Sequence, residues 1–260
     1  MFTSLHLEQN PRRWSEILDC LKQNLDLGAI DEVCVLLEDV PDAPVRHEKL
    51  RTKKQFHRPT YEDYLRWVNE IKPAYSDLCI FANSDIYFDN SIAVLGSALK
   101  PTQCAVLSRW DANSLAQPSL FDRNDSQDAW VFKGPPKTVR GDFCVGVPRC
   151  DNRFLHELRE AGYEVINPAF SIRAYHLHEG ARTEYDGANL EHFIDPPYAY
   201  LWPHNLWSLP RTALHNLRHP EALVSWRLDR RKLTGSLPVR AIRKVLSMLN
   251  ISDRPAAPKT

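Results

Sequence analysis

Asp77-Leu78-Cys79-Ile80-Phe81-Ala82-Asn83-Ser84-Asp85 decides how the rest of the chain is read. Leu78 to Ala82 is a short, continuous apolar run closed by polar residues. It is too short for a helix and fits a strand buried on both faces, as in a parallel sheet. Upstream, Ile30 to Leu37 reads the same way. Between the two strands, Thr60 with Asp63 three positions on marks a helix start, and Tyr61, Tyr64, Leu65, Val68 and Ile71 form its apolar stripe before Pro73 stops it. Before the first strand, Asn10-Pro11 opens a helix with Trp14, Ile17, Leu18, Leu21 and Leu25 inward and Gly28 just past its end. Downstream, a helix starts at Asn90 or Ser91 and ends before Pro101, and strands follow at Cys104–Ser108 and Ala129–Phe132. A helix capped by Asp151 carries Phe154, Leu155 and Leu158 and is closed by Gly162; Tyr163–Ile166 and Ile172–His176 supply the last strands. Residues 39–58 and 109–126 read as polar loops. Strands alternating with helices predict an α/β sandwich with a mainly parallel sheet, whose ligands bind at the carboxyl ends of the strands.

The 260 residues hold 43% hydrophobic and 25% charged side chains, a globular balance. Lys plus Arg equals Asp plus Glu at 33 each, so no global field attracts nucleic acid. The neutrality hides an asymmetry: from Pro196 onward eleven basic residues face three acidic ones, a net +8, which leaves −8 on the first 195 residues. The longest uncharged apolar stretch, Ser91–Leu99, is too short to span a bilayer, and no basic-then-apolar leader opens the sequence. The expectation is a protein neither secreted nor membrane-spanning. Six cysteines without a CxxC pair read as free thiols in a reducing compartment.

Three polar groups follow strands or open helices. Asn83-Ser84-Asp85 delivers an amide and a carboxylate two residues apart, oxygen ligands suited to Mg²⁺ or Mn²⁺, although Asn, Ser and Asp also favour plain strand-end turns. His176 and His178 share one face of a strand, a candidate ligand pair that is more often structural. Asp151, at a helix N-terminus, is rigidly held and suits a general base, and capping alone also explains it. Asp128 is the rival carboxylate, with surface solvation as its alternative.

Taken in order, these residues resemble a family. FANSDIYFD at 81–89 stands in the place of a DxD metal motif, and CDNRFLHELREAGYEVINP at 150–168 in the place of an acid, amphipathic helix, Gly-Tyr and strand. With the His176/His178 pair after them, the chain resembles a glycosyltransferase of the GT-A fold, a family 2-like nucleotide-sugar transferase, over roughly Phe2 to Tyr185. The resemblance implies a GT-A-like α/β/α sandwich over 1–195 with a mainly parallel sheet. It leaves an aromatic, basic and partly helical C-terminal extension over 196–260 whose last ten residues or so are disordered.

The resemblance implies Asp85 as the metal-binding acid of the motif, with Asn83 in the first position and Ser84 between them on the donor. One of His176 and His178 completes the metal site. Asp151 is then the general base, with Asp128 as the alternative; Arg182 reaches the diphosphate and Arg58 faces the nucleotide. Mn²⁺ or Mg²⁺ is the implied cofactor. The reaction moves a sugar from a nucleotide-diphosphate donor to a hydroxyl of a glycan or lipid-linked acceptor, with inversion, in glycan or cell-surface polysaccharide synthesis. Two alternatives stay open: a metal-dependent phosphoesterase, and a non-catalytic domain binding glycan or a partner protein, since Asn83 and Cys150 stand where acids are usual. Asp85, as a strand-end acid, is expected to be replaceable by Ala without loss of the fold. Aromatics among arginines over 211–249 suit an anionic membrane surface, whereas Tyr198 to Trp207 is expected to wrap the body. The expected location is cytoplasmic, with peripheral attachment to the inner face of a membrane; no nucleic-acid partner is expected.

Overall fold

The structure, a computed structural model, describes residues 1–113, 116–178 and 193–235. Arg182, the basic run 240–244 and the last ten residues lie outside the described residues. In chain order the strands are β1 (Phe2–His6), β2 (Val33–Glu38), β3 (Leu50–Gln55), β4 (Leu78–Ala82), β5 (Ile86–Phe88), β6 (Gln103–Leu107), β7 (Trp110–Asn113), β8 (Ala116–Leu120), β9 (Ala129–Lys133), β10 (Glu164–Ile166) and β11 (Ala174–Leu177). The helices are α1 (Pro11–Asp26), α2 (Tyr61–Ile71), α3 (Leu95–Ala98), α4 (Cys150–Glu160), α5 (Leu209–Arg218) and α6 (Arg230–Gly235). Two compact units divide between Trp226 and Arg227. Among the described residues the second contains only α6, whose first turn is held by Asp229 accepting from the Arg231 backbone N–H at 3.0 Å.

The first unit is built on a seven-stranded sheet of order β10-β6-β9-β4-β1-β2-β3. Every neighbouring pair is parallel except those of β9, which runs antiparallel between β4 and β6. Alternating side chains feed two cores. Val33, Val35, Leu37, Ile80, Ala105 and Val131 pack on one face with Ile17, Leu21 and Leu25 of α1. Cys34, Leu36, Phe81, Val106 and Trp130 pack on the other with Tyr61, Tyr64 and Val68 of α2 and Phe154, Leu155 and Leu158 of α4. That is a three-layer α/β/α arrangement with a mainly parallel sheet. The chain runs outward from β1 through β2 to β3, then restarts on the other side at β4. This reversal between β1 and β4 leaves a crevice at their carboxyl ends.

The predicted helix starts follow local hydrogen bonding. The Asn10 side chain accepts from the Arg12 and Arg13 N–H groups with Pro11 in the first turn, and Thr60 and Asp63 form a capping box. Gly162 follows α4 with φ +76°, the left-handed stop expected of it. Asp151 is not the cap of α4: the helix begins at Cys150, Arg149 occupies the cap in a left-handed conformation (φ 72°), and Asp151 lies in the first turn.

Four stretches differ from the sequence reading. β1, a central strand, precedes the first predicted element; its five residues alternate apolar with Thr3, Ser4 and His6 and carry no continuous run. Residues 39–58 are not all loop, because Leu50–Gln55 forms the parallel edge strand β3, whose Arg51, Lys53 and Lys54 are the charges an edge tolerates and a buried strand does not. Residues 109–126 contain β7 and β8, an antiparallel pair with a bulge between Asp111 and Asn113. They belong to a second, four-stranded sheet of order β5-β11-β7-β8. The predicted last strand, Ile172–His176, is observed as β11 in that small sheet, not in the main one. Residues 193–207 run over the body as expected: Arg153 donates to the Asp195 carbonyl at 2.9 Å, the Ala199 N–H to the Asn152 carbonyl at 3.0 Å, and the His204 N–H to the Asn167 carbonyl at 2.8 Å.

Candidate active site

A cleft of about 470 Å³ opens at the carboxyl edge of the parallel strands. Its wall includes Arg58, Asn83, Ser84, Asp85, Asp128, Asp151, His176 and His178, every described residue that the sequence singled out. Arg182 lies outside the described residues.

The small sheet explains how Asp85 is held. In register, His176 on β11 sits beside Ile86 of β5 and beside Asp111 of β7, so its ring falls between two carboxylates. Its Nε2 is 3.0 Å from Asp85 Oδ2 and its Nδ1 is 3.3 Å from Asp111 Oδ1. α1 contributes Arg13, which donates to the same Asp85 oxygen, to Glu16 at 2.9 Å and to the Leu177 carbonyl at 2.7 Å. The buried Asn24 amide ties α1 to β5, donating to the Ile86 carbonyl at 2.8 Å and accepting from the Phe88 N–H at 3.2 Å. His178 stacks on His176 with centroids 5.6 Å apart, and its Nδ1 lies 4.0 Å from Glu16.

Burial alone would raise the Asp85 carboxyl, but His176 and Arg13 outweigh it and hold the group well below the usual carboxylate range. Burial likewise pulls His176 down, and Asp85 and Asp111 outweigh that to push it up to about 9. Both His176 ring nitrogens thus face carboxylate oxygens, Nε2 that of Asp85 and Nδ1 that of Asp111. The expectation that Asp85→Ala leaves the fold intact is corrected here. Asp85 is no loose strand-end acid; it is half-buried and is the shared anion of the half-buried Arg13 and the buried His176.

The second half of the cleft is built around Asp128 and Asp151. Asp128 is buried, not surface-solvated as one sequence reading held. It accepts from Arg109 at 3.3 Å and Asn83 Nδ2 at 3.4 Å through one oxygen, and from the Ser126 hydroxyl at 3.3 Å through the other. Asp151 is partly buried, and it has no such cation: its carboxylate accepts from the Gln127 N–H at 3.1 Å and the Asn152 N–H at 2.9 Å. Burial and then the charge of Asp128 push its carboxyl up to about 7, against those two donors. Cys150 beside it is a buried thiol pushed up to about 12 by burial and by Asp151, so it is a packing group rather than a second acid.

Sequence reasoning missed Arg13 on α1, Arg109 between β6 and β7, and Asp111 on β7; only the Arg109–Asp111 pair is local, two residues apart and ion-paired at 2.8 Å. Arg58 is set by the loop before α4: its Nε donates to the Val145 carbonyl at 2.9 Å, and a Cβ on Gly146 (φ +72°) would lie 2.9 Å from its Nη2. Five cleft residues carry buried polar atoms without a protein partner, namely Asn83 Oδ1, Asp85 Oδ1, Arg109 Nη2, Gln127 Oε1 and Trp130 Nε1. Such groups are costly unless a ligand or water meets them. Among the described residues no group of three or more His, Cys, Asp or Glu side chains is arranged to hold a metal ion. Of the unpartnered oxygens, Asn83 Oδ1 and Asp85 Oδ1 sit two residues apart at the end of β4, a small set that fits Mg²⁺ or Mn²⁺, which take much of their coordination from water and substrate phosphate.

No protein-family model matches the sequence, and no curated protein matches it. Among solved structures, the chain is similar to that of S. aureus TarS 1-349 in complex with UDP-GlcNAc, at 10% identity and a TM-score of 0.45 over 70% of this chain. The match covers 59% of that neighbour, so this chain spans about three-fifths of its length.

Proposed function

We propose that the protein is a nucleotide-sugar-dependent glycosyltransferase of GT-A-like fold, with Asp151 as the general base and the Asn83-Ser84-Asp85 turn as the donor site. One observation carries this reading. An oxygen-rich turn and a carboxylate with a pKa near neutrality converge in one cleft at the carboxyl edge of a parallel sheet.

A carboxyl near 7 is about half ionised at neutral pH, and as a base it is strong enough to take a proton from an acceptor hydroxyl as the hydroxyl attacks. Asp128, neutralised by Arg109, is the weaker candidate for this role. The leaving group is a diphosphate whose charge grows as the bond to the anomeric carbon breaks, and the cleft meets it with Arg58 and Arg109. Arg13 and His176 act through Asp85: they keep it ionised and turn one oxygen away from the cations. A divalent cation held by Asp85 and Asn83 would add Lewis-acid neutralisation of the same diphosphate. Direct attack from the Asp151 side would invert the anomeric centre. The acceptor is a glycan or lipid-linked hydroxyl.

The test is a panel of nucleoside diphosphate sugars, each with Mn²⁺, Mg²⁺ or chelator, read by thermal stabilisation and by release of nucleoside diphosphate. One donor should stabilise the protein and be turned over, and both effects should fall in the Asp85→Asn variant. Hydrolysis of a simple phosphoester without nucleotide-sugar turnover would identify a phosphoesterase instead, and binding without turnover a recognition module.

A further inference from the structure

Helix α5 turns its polar side to the protein and its apolar side to solvent. Thr212 is buried, and His215 and Asn216 are half-buried. The Asn216 amide donates to the Val224 carbonyl and accepts from the Val224 N–H, both at 2.9 Å, and His215 Nε2 donates to the Ala222 carbonyl at 3.0 Å. Those bonds fix the rotation of the helix about its axis. Helical spacing then sets Ala213, Leu214 and Leu217 on the opposite arc, with Leu209 at the helix start on the row of Thr212 and Asn216; Leu214 is 47% exposed, Leu217 82% and Leu209 51%. A surface helix ordinarily packs its apolar stripe on the core. Here the stripe faces outward, and the hydrogen-bonded side cannot exchange with it without losing three bonds.

Charge selects the occupant. Arg211 and Arg218 stand at the edge of the leucine arc, and the stretch from Leu209 to Pro220 contains no acidic residue. Arg211 stacks over Trp207 at 4.7 Å and is held at the surface. A second copy of this face, or the basic run Arg240, Arg243 and Lys244 of the same chain, would oppose like charges. A surface that is anionic outside and apolar beneath complements both features. We infer that α5 is a membrane-docking helix lying flat in the headgroup layer of an anionic bilayer, leucines inward and Arg211 and Arg218 at the lipid phosphates. This docking role stands apart from the transferase reading and survives its failure.

The full-length protein is sedimented with vesicles of phosphatidylcholine mixed with phosphatidylglycerol, and with phosphatidylcholine alone. Wild type should pellet with the anionic vesicles, and less so as salt rises. The double variant Leu214→Ser/Leu217→Ser, at two exposed positions, should lower the partition coefficient about tenfold or more. Arg211→Gln/Arg218→Gln should lower it about tenfold at low salt and flatten the salt dependence. Circular dichroism and melting of both variants should match wild type. Failure of wild type to bind anionic vesicles, or equal binding by the leucine variant, overturns the inference. So does a concentration-dependent dimer that the leucine substitutions abolish without lipid, which would make the face a contact between copies.

Discussion

Replacing Asp151 by Asn should raise stability and destroy activity in the same molecule. The carboxyl moves from an ordinary value of 3.8 to about 7 on folding. Between those values the native protein holds a proton that the unfolded chain has released, so stability falls as pH rises through this window. Above it the penalty levels off at about 4 kcal/mol, at 1.36 kcal/mol per pKa unit. Asn carries no such penalty. It keeps one acceptor oxygen for the Gln127 or Asn152 N–H and loses the other bond, about 1 kcal/mol. The expected net gain at pH 8 is about 3 kcal/mol, or about 6 to 12 °C in melting temperature for a unit of this size. The gain should shrink steadily below pH 7, cross zero at about pH 4.5 and become a deficit of about 1 kcal/mol at lower pH. Donor binding should survive, while transfer falls about 10²- to 10⁴-fold for want of a proton acceptor. Melting curves of both proteins from pH 4 to 8, with turnover of the identified donor, check this. A melting difference that does not change with pH would refute the burial argument, and an active Asn variant would move the base to Asp128.

Asp85→Ala leaves Arg13 to Glu16 and the Leu177 carbonyl and His176 to Asp111, so it should cost about 1 to 3 kcal/mol in denaturant unfolding, besides lowering nucleotide affinity. His176→Gln should change with pH in the same direction as Asp151→Asn, but in a higher window and starting from a deficit instead of ending in a gain. Its imidazolium stabilises the fold fully below 6.5 and loses that contribution as pH rises through about 9, so the variant's deficit should be largest at about pH 6 and close by pH 10. Gly146→Ala forces a side chain into the left-handed region against Arg58 and should lower nucleoside diphosphate affinity about as much as Arg58→Ala, measured by calorimetry. The Arg58 variant alone should keep nearly wild-type melting, because the Arg58 side chain is exposed and gives up one hydrogen bond to the Val145 carbonyl.

Most of the main sheet was legible because its central strands are buried on both faces. Runs such as Val33–Leu37 and Leu78–Ala82 have no other economical reading, and the caps at Asn10, Thr60 and Gly162 follow from local hydrogen bonding. The strands that escaped are those whose side chains meet water or one another's charges. β3 bears lysines because it is an edge, and β7 and β8 form a ribbon whose residues are polar, so neither yields an apolar period. Asp128 misled for a related reason. A lone carboxylate between polar residues looks solvated until Arg109 is folded onto it.

Local chemistry alone determined the three-layer class, the placement of Asn83, Ser84 and Asp85 at a strand end, and of Asp151 near the start of a helix. All of these depend on residues within a few positions of each other. Tertiary structure decided what those groups are. Arg13 reaches Asp85 from a helix and His176 from a strand of a second sheet, with Asp111 holding the far side of the His176 ring, and the approach of Asp128 to Asp151 joins the start of β9 to α4. Charge states in a cleft depend on distances of a few ångströms between chain segments far apart in sequence, because a buried ionisable group responds to whichever neighbours replace its water. No spacing rule encodes those neighbours. The same holds for α5, where the sequence shows an apolar stripe and only the bonds from Asn216 and His215 show that it faces outward.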